Sequence, residues 1–205
     1  NIKSTVLGGQ SIARTAMAVE NEIKLCPVLN LIRQEYYSQC DNYVLALAQK
    51  IGILKSNAAN TGKGSLNLSI HTEMSYFELG GLKLLFLPCE LFPELAYGGY
   101  LDADCSAEGK SPDINPAPLL RIAEDDNMLI FCLANDFTGY VVPPNDFYLN
   151  PKEPYINGGR DRLDRRHYEE TNSLGPETAP IIANVFADIM NTVNKTKTEA
   201  EKAIK

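Results

Sequence analysis

The sequence of 205 residues has no apolar run approaching the roughly 18 residues of a membrane-spanning helix, which excludes a helical span. Nothing near its start has the charged and apolar regions of a signal peptide. Basic residues are also scarce: 19 Lys and Arg stand against 26 Asp and Glu, for a formal charge of −7. That balance argues against nucleic acid as partner, because neutralising a phosphate backbone needs clustered Lys and Arg. The five cysteines (Cys26, Cys40, Cys89, Cys105 and Cys132) form no CxxC pair and no disulfide framework, so free, buried or half-buried thiols are expected. Only two histidines occur, His71 and His167, and neither has a partner at metal-ligand spacing. No HExxH, nucleophile elbow, Walker loop or dinucleotide-binding glycine pattern appears. These absences remove several large enzyme classes and leave a small or uncharged substrate as the expected partner.

What is present suffices for one substantial core, with 44% of residues hydrophobic. Apolar positions from Val6 to Ile23 recur at helical spacing and predict a helix over Ser11 to Leu25, with Pro27 closing it or starting a connector. A second helix is expected over Asp41 to Ile51, capped by Asp41 and ended by Gly52. Leu66 to Ile70 alternates with period two, and the extended text runs through His71 to Leu79. Gly80-Gly81 then turns the chain into an apolar run, Leu82 to Leu87, which makes a hairpin. Residues 98–118 read as a functional or mobile loop, Asn127 to Ala134 as a buried strand, and Pro176 as the first turn of a long amphipathic helix. Residues 194–205 read as a solvated helix end or a disordered tail. Strands between flanking helices give an α/β or α+β class with a mixed sheet, in one domain or as part of a larger layered catalytic domain.

Three segments end apolar runs at polar side chains, which is how a strand delivers a reactive group to a pocket. In Leu87-Pro88-Cys89-Glu90-Leu91-Phe92-Pro93-Glu94-Leu95, the carboxylate of Glu90 emerges from a backbone anchored by proline. It can serve as metal ligand or general base, although a lone carboxylate more commonly is solvated or caps a helix. In Leu133-Ala134-Asn135-Asp136-Phe137-Thr138-Gly139-Tyr140, the phenol of Tyr140 can bind a cation, donate to an oxyanion, or simply edge the core. Tyr168 lies in His167-Tyr168-Glu169-Glu170-Thr171-Asn172, after a run of Arg160, Asp161, Arg162, Asp164, Arg165 and Arg166 whose mixed signs read as a paired, solvated surface.

Taken in order, these segments, together with Leu174-Gly175-Pro176, resemble the later half of the neutral/alkaline non-lysosomal ceramidase family. The likeness is closest to its shorter bacterial relatives and covers most of residues 40–193. It implies a zinc-dependent amidase that cleaves an N-acyl bond. Glu90 then matches the glutamate ligand of the Pro-Gly-Glu motif, with Cys89 in place of its glycine. Tyr140 matches the tyrosine ligand. Tyr168 matches the tyrosine of the Tyr-Glu-Gly motif, with Glu170 in place of its glycine, and would stabilise the substrate oxyanion. The family's two zinc histidines belong to its earlier half. The resemblance therefore implies that the remaining ligands lie on an N-terminal half outside this chain, and the start at Asn rather than Met is read as that of a fragment or processed product. A signal on that half would place the protein outside the cytoplasm; otherwise it is cytoplasmic. The alternative is a non-catalytic, ligand-binding or structural half of a degenerate relative.

Overall fold

A computed structural model of the protein describes residues 2–20, 24–25 and 29–204, with side chains described as far as residue 197. It opens with helix α1 (Ile2–Met17), which begins earlier and ends earlier than the spacing from Ser11 predicts. Ile2, Val6 and Leu7 already carry the helical period, and Gly8-Gly9 does not interrupt it. No residue of α1 is buried. The proposed stop at Pro27 lies outside the described residues, as does Cys26.

Strand β1 (Leu29–Gln39) was not expected from the sequence, which reads there as a connector. Its alternation is weak because one face carries Asn30, Ile32, Gln34, Tyr36 and Ser38, a mixture of polar and apolar residues. Helix α2 (Tyr43–Lys50) follows, and the cap is Asn42 rather than Asp41. The Asn42 Oδ1 accepts from the Val44 and Leu45 amides at 3.1 and 3.2 Å, satisfying two donors of the first turn.

The expected hairpin is present. Strand β3 (Leu68–Leu79) returns through Gly80-Gly81, both with positive φ, into β4 (Leu82–Phe86). Leu66 and Asn67 are not strand residues, and both sit in the left-handed region ahead of β3. A short β2 (Ala58–Asn60) also pairs with β3. The strand expected to be buried over Asn127 to Ala134 shrinks to β6 (Leu129–Phe131), because Leu133 and Asn135 take positive φ and re-aim the chain. Nor is β6 buried: Leu129 and Phe131 are exposed, and within it Ile130 alone turns to the core. The result is a mixed five-stranded sheet: β1, β3 and β4 are antiparallel neighbours, β6 runs parallel to β4, and β2 lies off this path.

Helix α5 (Thr178–Ile204) starts two residues after Pro176, with Pro180 in its first turn, and continues through the expected tail. Phe186, Ile182, Ile189 and Val193 pack with Met74, Tyr76, Leu85 and Leu87 to form the main core on one face of the sheet. The short helices α3 (Pro93–Tyr97) and α4 (Leu119–Ala123) complete that layer. Residues 98–118 are pinned rather than loose: the Asn115 and Asn145 side chains bond at 2.8 Å, and the Arg162 guanidinium donates to the carbonyls of Ala103, Asp104 and Ser106.

Candidate functional site at the ends of β5 and β7

Beyond β4 and β6 the two chains continue side by side as β5 (Glu90–Leu91) and β7 (Tyr140–Val141), a parallel pair. The Glu90 amide donates to the Gly139 carbonyl at 3.0 Å and the Phe92 amide to the Val141 carbonyl at 3.1 Å. Glu90 and Tyr140 are thereby register partners. Both leave strands whose preceding residues anchor them: Thr138 donates through its amide and hydroxyl to the Pro88 carbonyl at 2.7 and 3.0 Å. Cys89 is fully buried beside them, and burial pushes its thiol well above the ordinary range. It packs the floor and is no nucleophile.

Tyr168 arrives from a distant segment. A short hairpin of β8 (Gly159–Arg160) and β9 (Arg166–His167) leads into a 3-10 turn over Glu169–Asn172, and Tyr168 stands at that junction. Its ring meets the Tyr140 ring edge-on, with centroids 5.8 Å apart. A hydrogen bond with Tyr168, partial burial and the nearby Glu90 carboxylate push the Tyr140 phenol up to about 12. The three candidates from three separate segments therefore form one cluster, with Glu90 and Tyr168 open to solvent. Gly139 permits the approach: a Cβ there would lie 2.0 Å from the Asn172 carbonyl oxygen, and its φ is +90°.

The seat of Tyr168 was not legible from the sequence. Asn42, besides capping α2, donates from Nδ2 to the Thr171 and Ser173 carbonyls at 3.1 and 3.0 Å. His167 lies between two carboxylates: Nδ1 is 2.8 Å from Glu170 Oε1 and Nε2 is 3.2 Å from Asp161 Oδ2. Burial alone would lower its proton affinity, but these partners outweigh burial and raise it. Asp161, fully buried in its side chain, also accepts from the Arg165 Nε at 2.7 Å, and Arg165 reaches Asp146 at 2.8 Å. The charged run thus folds inward at Asp161 and is not wholly a solvated surface. Burial raises Glu170, whose Oε2 has no partner while Oε1 serves both His167 and the Tyr148 amide.

Neither histidine is placed to join Glu90 and Tyr140. His167 has both ring nitrogens occupied, and His71 contacts Asn57 at 2.8 Å and Glu35 at 3.3 Å. Among the described residues no group of three or more His, Cys, Asp or Glu side chains is arranged to hold a metal ion. Glu90 and Tyr140 fit a borderline cation as two oxygen donors and no more. A separate cavity of about 330 Å³ shares Gly139 and Asn172 with the site and is lined by apolar side chains including Leu45, Leu54, Ile70, Phe137 and Leu174. It touches none of the three candidates. No family model, no curated protein and no solved structure matches this chain.

Proposed function

We propose that this chain is the part of a ceramidase-like, zinc-dependent amide hydrolase that supplies Glu90 and Tyr140 to the metal and Tyr168 to the reacting carbonyl. The observation that carries the reading is the convergence of these three residues at one strand end, from segments separated by tens of residues. When bound, zinc polarises the scissile carbonyl and activates a water. The chain's own groups hold and orient. Glu90 offers a carboxylate on a rigid strand, and Tyr140 offers a phenol whose proton a cation would displace. The Tyr168 hydroxyl, unburied and beside Tyr140, donates to the oxygen on which charge develops. The neighbouring apolar cavity, within the size range of ligand pockets, suits the aliphatic part of an N-acyl or lipid substrate.

A second reading is a non-catalytic, ligand-binding or structural half of a degenerate relative. It is favoured by the engagement of both histidines with other partners. The test is zinc content and acyl-amide hydrolysis of the full-length protein, with Glu90→Ala and Tyr140→Phe beside it. Bound zinc lost in both variants supports the hydrolase. Absent zinc, with no effect of either substitution, leaves the non-catalytic reading.

A further inference from the structure

Of the four arginines in residues 160–166, three are committed to the chain itself. Arg160 pairs with Asp164 at 3.0 Å, Arg162 donates to the carbonyls of Ala103, Asp104 and Ser106, and Arg165 bridges Asp161 and Asp146. Arg166 is exposed and has no hydrogen bond or ion pair among the described residues. Its place is nevertheless fixed. Register pairs it with Arg160 across the β8–β9 hairpin, and like charges directly opposed on one face cost stability unless an anion comes between them. Alternation turns His167 inward and leaves Arg166 and Tyr168 exposed on the same side. Arg166 also borders a small cavity of about 140 Å³ walled by Phe92, Val142, Asp146, Glu169 and Glu170. The three carboxylates there each hold a donor of the chain: Asp146 accepts from Arg165 at 2.8 Å, Glu169 from the Tyr168 amide at 3.0 Å and Glu170 from the Tyr148 amide at 3.1 Å.

Two segments pass in order from the apolar cavity, through the candidate site, to this small cavity. In one, Thr138 and Gly139 line the apolar cavity, Tyr140 belongs to the site and Val142 lines the small cavity. In the other, Leu174 and Asn172 line the first, Tyr168 belongs to the site and Arg166 lines the second. We infer that the site accepts an N-acyl amino acid, with its acyl chain in the apolar cavity, its amide at Tyr140 and Tyr168, and its carboxylate on the Arg166 guanidinium. The placing of the amide rests on the hydrolase reading; the recognition of an amphiphilic carboxylate does not. A guanidinium fork meets a carboxylate with two parallel hydrogen bonds. At about 140 Å³ the small cavity lies well below the roughly 300–1,000 Å³ of a whole ligand pocket, so it takes a head group and no more. One unpaired guanidinium balances one negative charge, whereas a phosphate of about −1.5 to −2 beside Asp146, Glu169 and Glu170 would keep an excess. Hydrolysis of such an amide puts the hydroxyl of water on the acyl carbon and its remaining proton on the leaving nitrogen, giving a carboxylic acid and an amino acid.

The test is calorimetric titration of the 205-residue chain with N-octanoylglycine, its neutral counterpart N-octanoylethanolamine, and octyl phosphate. N-octanoylglycine should bind wild type about tenfold or more tighter than N-octanoylethanolamine, and Arg166→Gln should remove that preference. Thermal unfolding of Arg166→Gln should match wild type, because the side chain it replaces is exposed and faces Arg160. Lys55→Gln, which removes an exposed ammonium from the lip of the apolar cavity, should leave the preference intact. The proposal is overturned if wild type binds neither amide, if it binds the two alike, if Lys55→Gln rather than Arg166→Gln abolishes the preference, or if octyl phosphate binds tighter than N-octanoylglycine. Zinc content and hydrolysis of both amides by the full-length protein separate this inference from the hydrolase reading. Arg166-dependent binding without zinc or hydrolysis sinks the hydrolase and keeps the carboxylate subsite. Zinc-dependent hydrolysis of both amides at equal kcat/KM, unchanged by Arg166→Gln, does the reverse.

Discussion

Gly139 is the position at which a single methyl group would do most harm to the candidate site. A side chain there meets the Asn172 carbonyl and forces a left-handed φ, so Gly139→Ala should cost about 1–3 kcal/mol in urea denaturation and separate Tyr140 from Tyr168. Tyr168→Phe changes no packing. On the hydrolase reading it should lower kcat of the full-length protein about 100-fold while leaving zinc content unchanged. His167 carries a pH signature. Its proton affinity is raised above the ordinary value near 6.5, so its contribution is complete below that pH and is lost as pH rises through the folded value. Glu170, raised by burial, acts in the same direction, since ionising it in place is costly. Asp161 acts oppositely: its bonds to Arg165 and His167 outweigh burial and hold it well below the usual carboxylate range, so its contribution is lost only in strong acid. Urea midpoints should therefore fall as pH rises above about 6.5 for wild type, and fall much less for His167→Gln.

Among the elements, α5 and α1 are opposites. Phe186 is fully buried and faces the Tyr76 ring at 6.4 Å, so Phe186→Ala should destabilise by about 3–5 kcal/mol. Deleting residues 1–17 removes a helix with no buried residue, and thermal unfolding of the chain should not change. The same contrast governs what could be read from the sequence. The α5 face, the β3–β4 hairpin and the mixed sheet were legible because period and turn residues agree with burial. Strand β1 was not, because only Tyr36 and Ser38 of its residues are buried and little alternation results. The positions of Glu90, Tyr140 and Tyr168 within polar strand ends were visible, but not the links that seat them. Asn42 to Ser173 and His167 to Asp161 and Glu170 are side-chain choices that no local spacing announces.

At the scale of the whole molecule, Glu90 and Tyr140 are the two oxygen donors that the candidate site offers a cation, and among the described residues no group of three or more His, Cys, Asp or Glu is arranged to hold one. Two oxygen ligands hold zinc weakly, since catalytic sites use three protein ligands and structural sites four. Calorimetric titration of the chain alone with zinc should show no binding at micromolar concentrations; on the hydrolase reading, the full-length protein should retain zinc through dialysis. A tight, stoichiometric site on the isolated chain would contradict the ligand count.

The Asn42 bond to the Ser173 carbonyl joins residues 131 positions apart. Local pairing of β3 with β4 closes early and at little entropic cost, but this bond waits until the segments around residues 42 and 173 have met. The seat of Tyr168 is thus among the last parts to assemble. A chain caught on the ribosome, clipped near residue 170 or partly unfolded can hold its central hairpin and still have no site. On the hydrolase reading, reactivity at that corner would then report on completed folding.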